Sequence, residues 1–171
     1  MTILIFVGCD KSTLELKYAE QEKRIEQFIN STLSKNNLDE NALTRNGGSN
    51  RITIVPGEGE ALIKGGKIEM LISGYIFNGN ISANSLFYTN DEAIAQQAKW
   101  DTEANIFGPE TFTLNEKDLL KGLVYGLEGV KAGEECIVIF SGKYGFGKHK
   151  TGIIPANSAL AYIVKVVSIE N

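Results

Sequence analysis

The sequence has little of what most chemical sites are made from. Its 171 residues include one histidine, His149, and two cysteines, Cys9 and Cys136. A single imidazole excludes every metal site that needs two. Two cysteines make no disulfide framework. Basic residues are outnumbered, 17 Lys and Arg against 21 Asp and Glu. With no basic excess to neutralise phosphates, nucleic-acid binding is not expected. No apolar run reaches the roughly 18 residues that a spanning helix requires. Proline is scarce, at three residues, and glycine common, at 18, which suits many tight turns. What is there is otherwise ordinary. A content of 43% apolar and 22% charged residues marks a globular chain, and this length implies one domain with at most a small appendage. Such a chain buries roughly two-thirds of its unfolded surface and needs no staples.

Apolar periodicity divides the chain. From Ser12 to about Asn36, Tyr18, Ile25, Phe28, Ile29 and Leu33 recur at helical spacing, and Ser12 with Glu15 has the form of a capping box. The stripe is narrow, so the helix must lean on something. Packing on the domain behind it is favoured over a dimerisation arm. Residues 36–50 are polar, with Asn36-Asn37 and Gly47-Gly48, and read as a linker. Beyond them the texture is alternation. Strands are expected at 51–55, 61–64, 67–77, 110–114, 136–140 and 159–169, with a type I′ hairpin turn at Asn78-Gly79. Residues 91–100 have helical composition, with Thr89 or Asn90 as N-cap. A short helix is expected from Asn115 to Tyr125, interrupted by glycine at 122. Strands joined by turns around one short helix give the class α+β with an antiparallel sheet.

Two catalytic patterns fail on inspection. Gly142 to Lys148 matches most of a phosphate-binding loop, but His149 stands where a hydroxyl belongs and no helix follows. Cys136 and His149 have the types of a nucleophile and base, but Cys136 lies in an apolar strand run, where an inert buried thiol is expected.

The first nine residues resemble the tail of a bacterial lipoprotein signal peptide. Val7-Gly8-Cys9 fits the small residues before a lipidated cysteine, although Phe6 stands where Leu is usual and no positive segment precedes it. The resemblance implies cleavage before Cys9, a lipid on its sulfur, and a membrane-anchored protein of the bacterial cell envelope. A short N-terminal strand is the alternative.

The second half resembles the FKBP-type peptidyl-prolyl isomerases. Tyr144-Gly-Phe-Gly147 followed by Gly152-Ile-Ile-Pro155-Ala-Asn-Ser158-Ala-Leu160 is its most specific part. Leu119-Leu-Lys-Gly122, Gly126 to Glu134, Ser73 to Gly79, and Phe87 to Asn90 resemble further family segments in the family's order. The segment from Asn90 to Pro109 looks like an expanded family loop. The organisation implied is a targeting remnant at 1–9, a helix and linker at 10–50, and an FKBP-like domain at 51–171, its sheet wrapped around the short helix.

The resemblance further implies a proline-binding pocket and a rotation of Xaa–Pro bonds that needs no cofactor or metal. Leu119 and Leu120 stand at the family's apolar pair, and the Leu120 N–H is the implied donor to substrate. Ile154, Tyr162 and Phe87 match pocket positions. Four positions depart from the pattern. Tyr88 replaces an Asp, Phe146 a Tyr whose hydroxyl binds ligands, Leu123 a Trp on the pocket floor, and Ile72 a Tyr. Two readings follow. In one, the chain is a weak isomerase or folding helper for proline-containing segments. In the other, it is a non-catalytic binding module in which Tyr88 and residues 91–109 fill or cover the groove.

Overall fold

The protein is described from a computed structural model, which covers residues 8–103 and 105–171, without the side chains of residues 8–10. The candidate signal residues 1–7 and the Cys9 side chain lie outside the described residues. The backbone at Gly8 and Cys9 is already helical.

Helix α1 spans Gly8–Lys35, so it starts before the Ser12 capping box expected from sequence. Ile25, Ile29 and Leu33 form its buried stripe. It ends at Asn37, whose φ of 52° is left-handed. There Leu38 N–H donates to Leu33 O at 2.9 Å and Asn37 N–H to Ser34 O at 3.3 Å, a Schellman closure that asparagine tolerates. The Asn36-Asn37 pair is thus a helix stop. The linker expectation for 36–50 is corrected further on. Leu43–Asn46 is a strand, β1, paired antiparallel with β2, Ser49–Val55.

The remaining strands are β3, Lys67–Ile76; β4, Leu86–Thr89; β5, Glu110–Thr113; β6, Glu135–Phe140; and β7, Leu160–Glu170. They form one antiparallel sheet in the order β1-β2-β6-β7-β3-β4. β5 also pairs with β3, end to end with β4 along the same edge. The expected strand at 61–64 is absent; Leu62 N–H and O instead bond Val130 and Gly129. The expected hairpin at Asn78-Gly79 is also absent, because residues 77–85 intervene between β3 and β4. Phe77 turns away to the outer face, where its ring meets Phe28 edge-on at 5.3 Å.

The sheet separates two apolar layers, as period-two alternation requires. On one face, Ile52, Ile139 and Ala161 pack under α1. On the other, Val138, Phe140, Tyr162 and Val164 pack under α3, Lys121–Leu127. Helix α3 starts later than the sequence suggested. Asn115 Oδ1 accepts from the N–H groups of Lys117 and Asp118, a local turn that resembles a helix start. Glycine does not interrupt α3 but lets it approach the sheet. A Cβ on Gly122 would lie 2.3 Å from the Phe140 ring.

Helix α2, Glu92–Gln97, is capped by the Asp91 carboxylate, one or two residues beyond the expected caps. It sits over the face opposite α3, where Ile94 and Ala98 border Tyr75 and Ile163. Asn90 bridges the gap between β4 and β5. Its side chain accepts from Ile72 N–H at 2.6 Å and donates to Met70 O at 3.0 Å, so it continues the pairing of β3 where the neighbouring strands stop. Among the described residues no helix is long and apolar enough to cross a membrane.

Candidate functional site

Between α3 and the sheet lies a cleft of about 850 Å³. All nine positions carried over from sequence line it, and they come from separate segments. Ile72 comes from β3, Phe87 and Tyr88 from β4, Leu119 and Leu120 from the turn that leads into α3, and Leu123 from α3 itself. Phe146 and Ile154 come from the long loop, and Tyr162 from β7. The depth is graded. Ile72, Leu119, Leu123, Ile154 and Tyr162 are buried, Phe87, Leu120 and Phe146 half-buried, and Tyr88 is 37% exposed at the mouth.

Local structure explains the placements. Gly74 pairs with Tyr88 and Tyr75 with Leu86, so Phe87 is the extra residue of a β-bulge, a device that re-aims a side chain. Its ring meets Tyr162 edge-on at 5.9 Å, and Tyr162 stacks on Phe140 at 5.9 Å. A Cβ on Gly74 would come within 2.6 Å of Phe87 and 2.8 Å of Tyr162, so only glycine leaves room for this pair. Ile154 is turned inward by a tight loop. Thr151 and Ile154 exchange backbone hydrogen bonds of 3.0 and 2.9 Å, while Ile153 at the tip is 66% exposed. Leu120 occupies the N-cap position of α3 with extended backbone and no side-chain cap. Among the described residues its N–H donates to no acceptor.

The polar groups of the cleft are few. The Tyr88 hydroxyl donates to Glu110 Oε1 at 2.7 Å. Burial, then this carboxylate, pushes its ionisation well above the usual tyrosine range. Burial alone pushes Tyr162 up in the same way. Phe146 brings no hydroxyl. Cys136, buried in β6, belongs to the core, and burial pushes its thiol up. Sequence reasoning missed Leu86, Trp100, Phe112 and Ile153, which also line the cleft. For Phe112 a signal existed, its alternation within the strand at 110–114. For Trp100 there was only its being the one tryptophan of the chain.

Sheet and helix define a small α+β domain with a concave, largely apolar cleft. A family model described as FKBP-type peptidyl-prolyl cis-trans isomerase matches residues 77–167. FK506-binding protein 3 of Kluyveromyces lactis is 30% identical over 117 residues, 68% of this chain and 23% of that protein. FK506-binding protein 1 of Aspergillus oryzae is 27% identical over 123 residues, 71% of this chain and 98% of that protein. A crystal structure of FkpA from Escherichia coli matches with a TM-score of 0.60 at 17% identity, covering 94% of this chain and 64% of that one. The chain belongs to the FKBP-type peptidyl-prolyl cis-trans isomerase family. It spans about a quarter of the length of the Kluyveromyces relative.

Proposed function

We propose that the chain is a divergent, weak peptidyl-prolyl isomerase acting on proline-containing polypeptide segments through the α3–sheet cleft. The observation that carries this is the convergence of nine apolar or aromatic family positions on one cleft that solvent can reach. An Xaa–Pro bond rotates over a barrier of about 18–20 kcal/mol because amide resonance must break, and uncatalysed exchange takes tens to hundreds of seconds. The twisted amide has the smaller dipole and loses less on leaving water. A dry cleft that grips the proline ring therefore favours it over the planar ground state. Buried Tyr162, Ile154 and Leu123 supply the dry floor. The Leu120 N–H, free of acceptors among the described residues, donates to the substrate carbonyl. No nucleophile or cofactor enters the step.

Activity is weak in this reading because two polar contributions are altered. The Tyr88 hydroxyl is held by Glu110, and Phe146 has none to offer. Each lost hydrogen bond costs on the order of 1–2 kcal/mol of transition-state binding, roughly tenfold in rate. The same two facts favour the second reading, a non-catalytic module on this fold. Against it stands the placement of the described residues of 91–109, among which α2 packs on the opposite face and Trp100 alone reaches the cleft. The test is a titration with a short proline-containing peptide followed by backbone NMR. Shifts at Leu120 and Tyr162, absent in Ile154→Asp, support the cleft. Shifts elsewhere, or none, refute it.

For location, the reading is a lipid anchor on Cys9 in a bacterial envelope, supported by Val7-Gly8-Cys9. Acyl chains contribute about 0.8 kcal/mol per buried methylene, so a multiply acylated cysteine holds firmly. Mass spectrometry of the membrane fraction tests it. Acylated Cys9 at the mature N-terminus supports the anchor, and an intact Met1 in the soluble fraction refutes it.

A further inference from the structure

Trp100 lines the cleft yet belongs to none of the strands or helices that build it, and its position is fixed by an unusual turn. Helix α2 stops with Lys99 at φ 59°, a left-handed conformation uncommon for a residue that is not glycine. Lys99 N–H donates to Gln96 O and Trp100 N–H to Ala95 O, both at 3.0 Å, the two bonds of a Schellman closure. The other end of α2 is held as firmly. The Asp91 carboxylate caps it and meets Lys165 Nζ at 2.9 Å. Gly108 N–H closes the base of the segment on Asn90 O at 2.9 Å, and the Asn90 side chain is bonded to β3. Helix α2 is therefore held at both ends, and what its C-terminal turn delivers to the cleft is an indole that remains 36% exposed.

The cleft has room for more than a proline ring. Its volume of about 850 Å³ is near the top of the range of about 300–1,000 Å³ typical of whole-ligand pockets. The buried floor lies at Tyr162, Ile154 and Leu123. Toward the mouth stand Phe112, Tyr88, whose ring is tethered by its bond to Glu110, and Trp100. The charges near the mouth, Glu116, Lys117 and Asp118, are of mixed sign and select for neither. Aromatic surface is what this half of the cleft offers.

We infer that Trp100 is a specificity-determining residue. It forms the outer wall of a second subsite, which takes an aromatic side chain flanking the proline of the bound segment. This rests on the isomerase reading and extends it to substrate choice. Because Trp100 is the only tryptophan in the chain, its fluorescence reports on that subsite and on nothing else. The experiment titrates the full chain with two proline peptides that differ only in a flanking Phe or Ala, following tryptophan emission and the NMR signals of Leu120 and Tyr162 together. Catalysed exchange of both peptides is then compared in wild type, Trp100→Phe and Trp100→Ala.

The expected result is a blue shift of emission with the Phe peptide. The preference for Phe over Ala should fall roughly 5–10-fold in Trp100→Ala, the scale of one aromatic contact, and be kept in Trp100→Phe. Unmoved emission while Leu120 and Tyr162 respond, or a preference untouched by Trp100→Ala, overturns the subsite and leaves the isomerase standing. No response at any of the three residues overturns both.

Discussion

The Gln21 side chain donates from Nε2 to the Asn157 carbonyl over 2.7 Å, fastening the N-terminal helix to the turn that follows the cleft residue Ile154. Its Oε1 at the same time accepts the Gly142 N–H at 2.9 Å. The Tyr18 hydroxyl adds a bond to Asn157 Oδ1 at 2.8 Å. Helix α1 is therefore part of the scaffold of the long loop, and its buried stripe of Ile25, Ile29 and Leu33 seats it on the outer face of the sheet. Gln21→Ala removes a buried partner from two backbone groups. A loss of about 1–3 kcal/mol follows from leaving such groups unpaired. Urea denaturation measures it, and an unchanged midpoint would mean that the helix merely rests on the loop.

Gly122→Ala tests how closely α3 lies on the sheet. Alanine favours a helix interior over glycine by roughly 1 kcal/mol, so propensity alone predicts stabilisation. The new Cβ would meet Phe140 at 2.3 Å, and overpacking costs about 1–3 kcal/mol. Net destabilisation is expected, with loss of peptide binding as Phe140 pushes on Tyr162. A rise in melting temperature would show that the helix can back away.

Phe146→Tyr restores a hydroxyl at the mouth of the cleft. If polar contacts to the rotating amide limit the rate, kcat/KM should rise roughly tenfold, the worth of one such bond. An unchanged rate would place the limit elsewhere, in binding or in the floor.

Alkaline pH should weaken the fold. Burial raises the ionisation of Tyr75 and Tyr162 above the ordinary value, and burial together with Glu110 raises that of Tyr88. Groups raised in the folded state contribute fully below the unfolded value of about 10. Above it the unfolded chain releases protons that the folded chain retains, and stability falls as pH rises toward the folded values. Phenolate absorbance should stay low for these residues beyond pH 10 while the melting temperature drops. A flat melting temperature between pH 9 and 11 would contradict this.

Much of this arrangement was legible because it rests on periodicity. The α1 stripe and the long strands β3 and β7 show their period directly, the buried strand β6 shows as an unbroken apolar run, and the order of the family-like segments located every position of the cleft floor. What stayed hidden rests on single backbone geometries. β1 is an edge strand of Leu43, Thr44, Arg45 and Asn46 with no alternation of burial, so composition marked it as linker. The turn at Asn115 imitates a helix start, and α3 proper begins only after Leu120. Trp100 reaches the cleft through the left-handed Lys99, a conformation that a lysine does not announce.

The most direct test of the isomerase reading is exchange spectroscopy of an Xaa–Pro peptide with the full chain, repeated with Leu120→Asp. Acceleration of cis–trans exchange by the wild type, lost in the variant while its fold persists by circular dichroism, is the predicted result. Exchange at the uncatalysed rate, even at high protein concentration, would contradict it and leave a binding module on an isomerase fold.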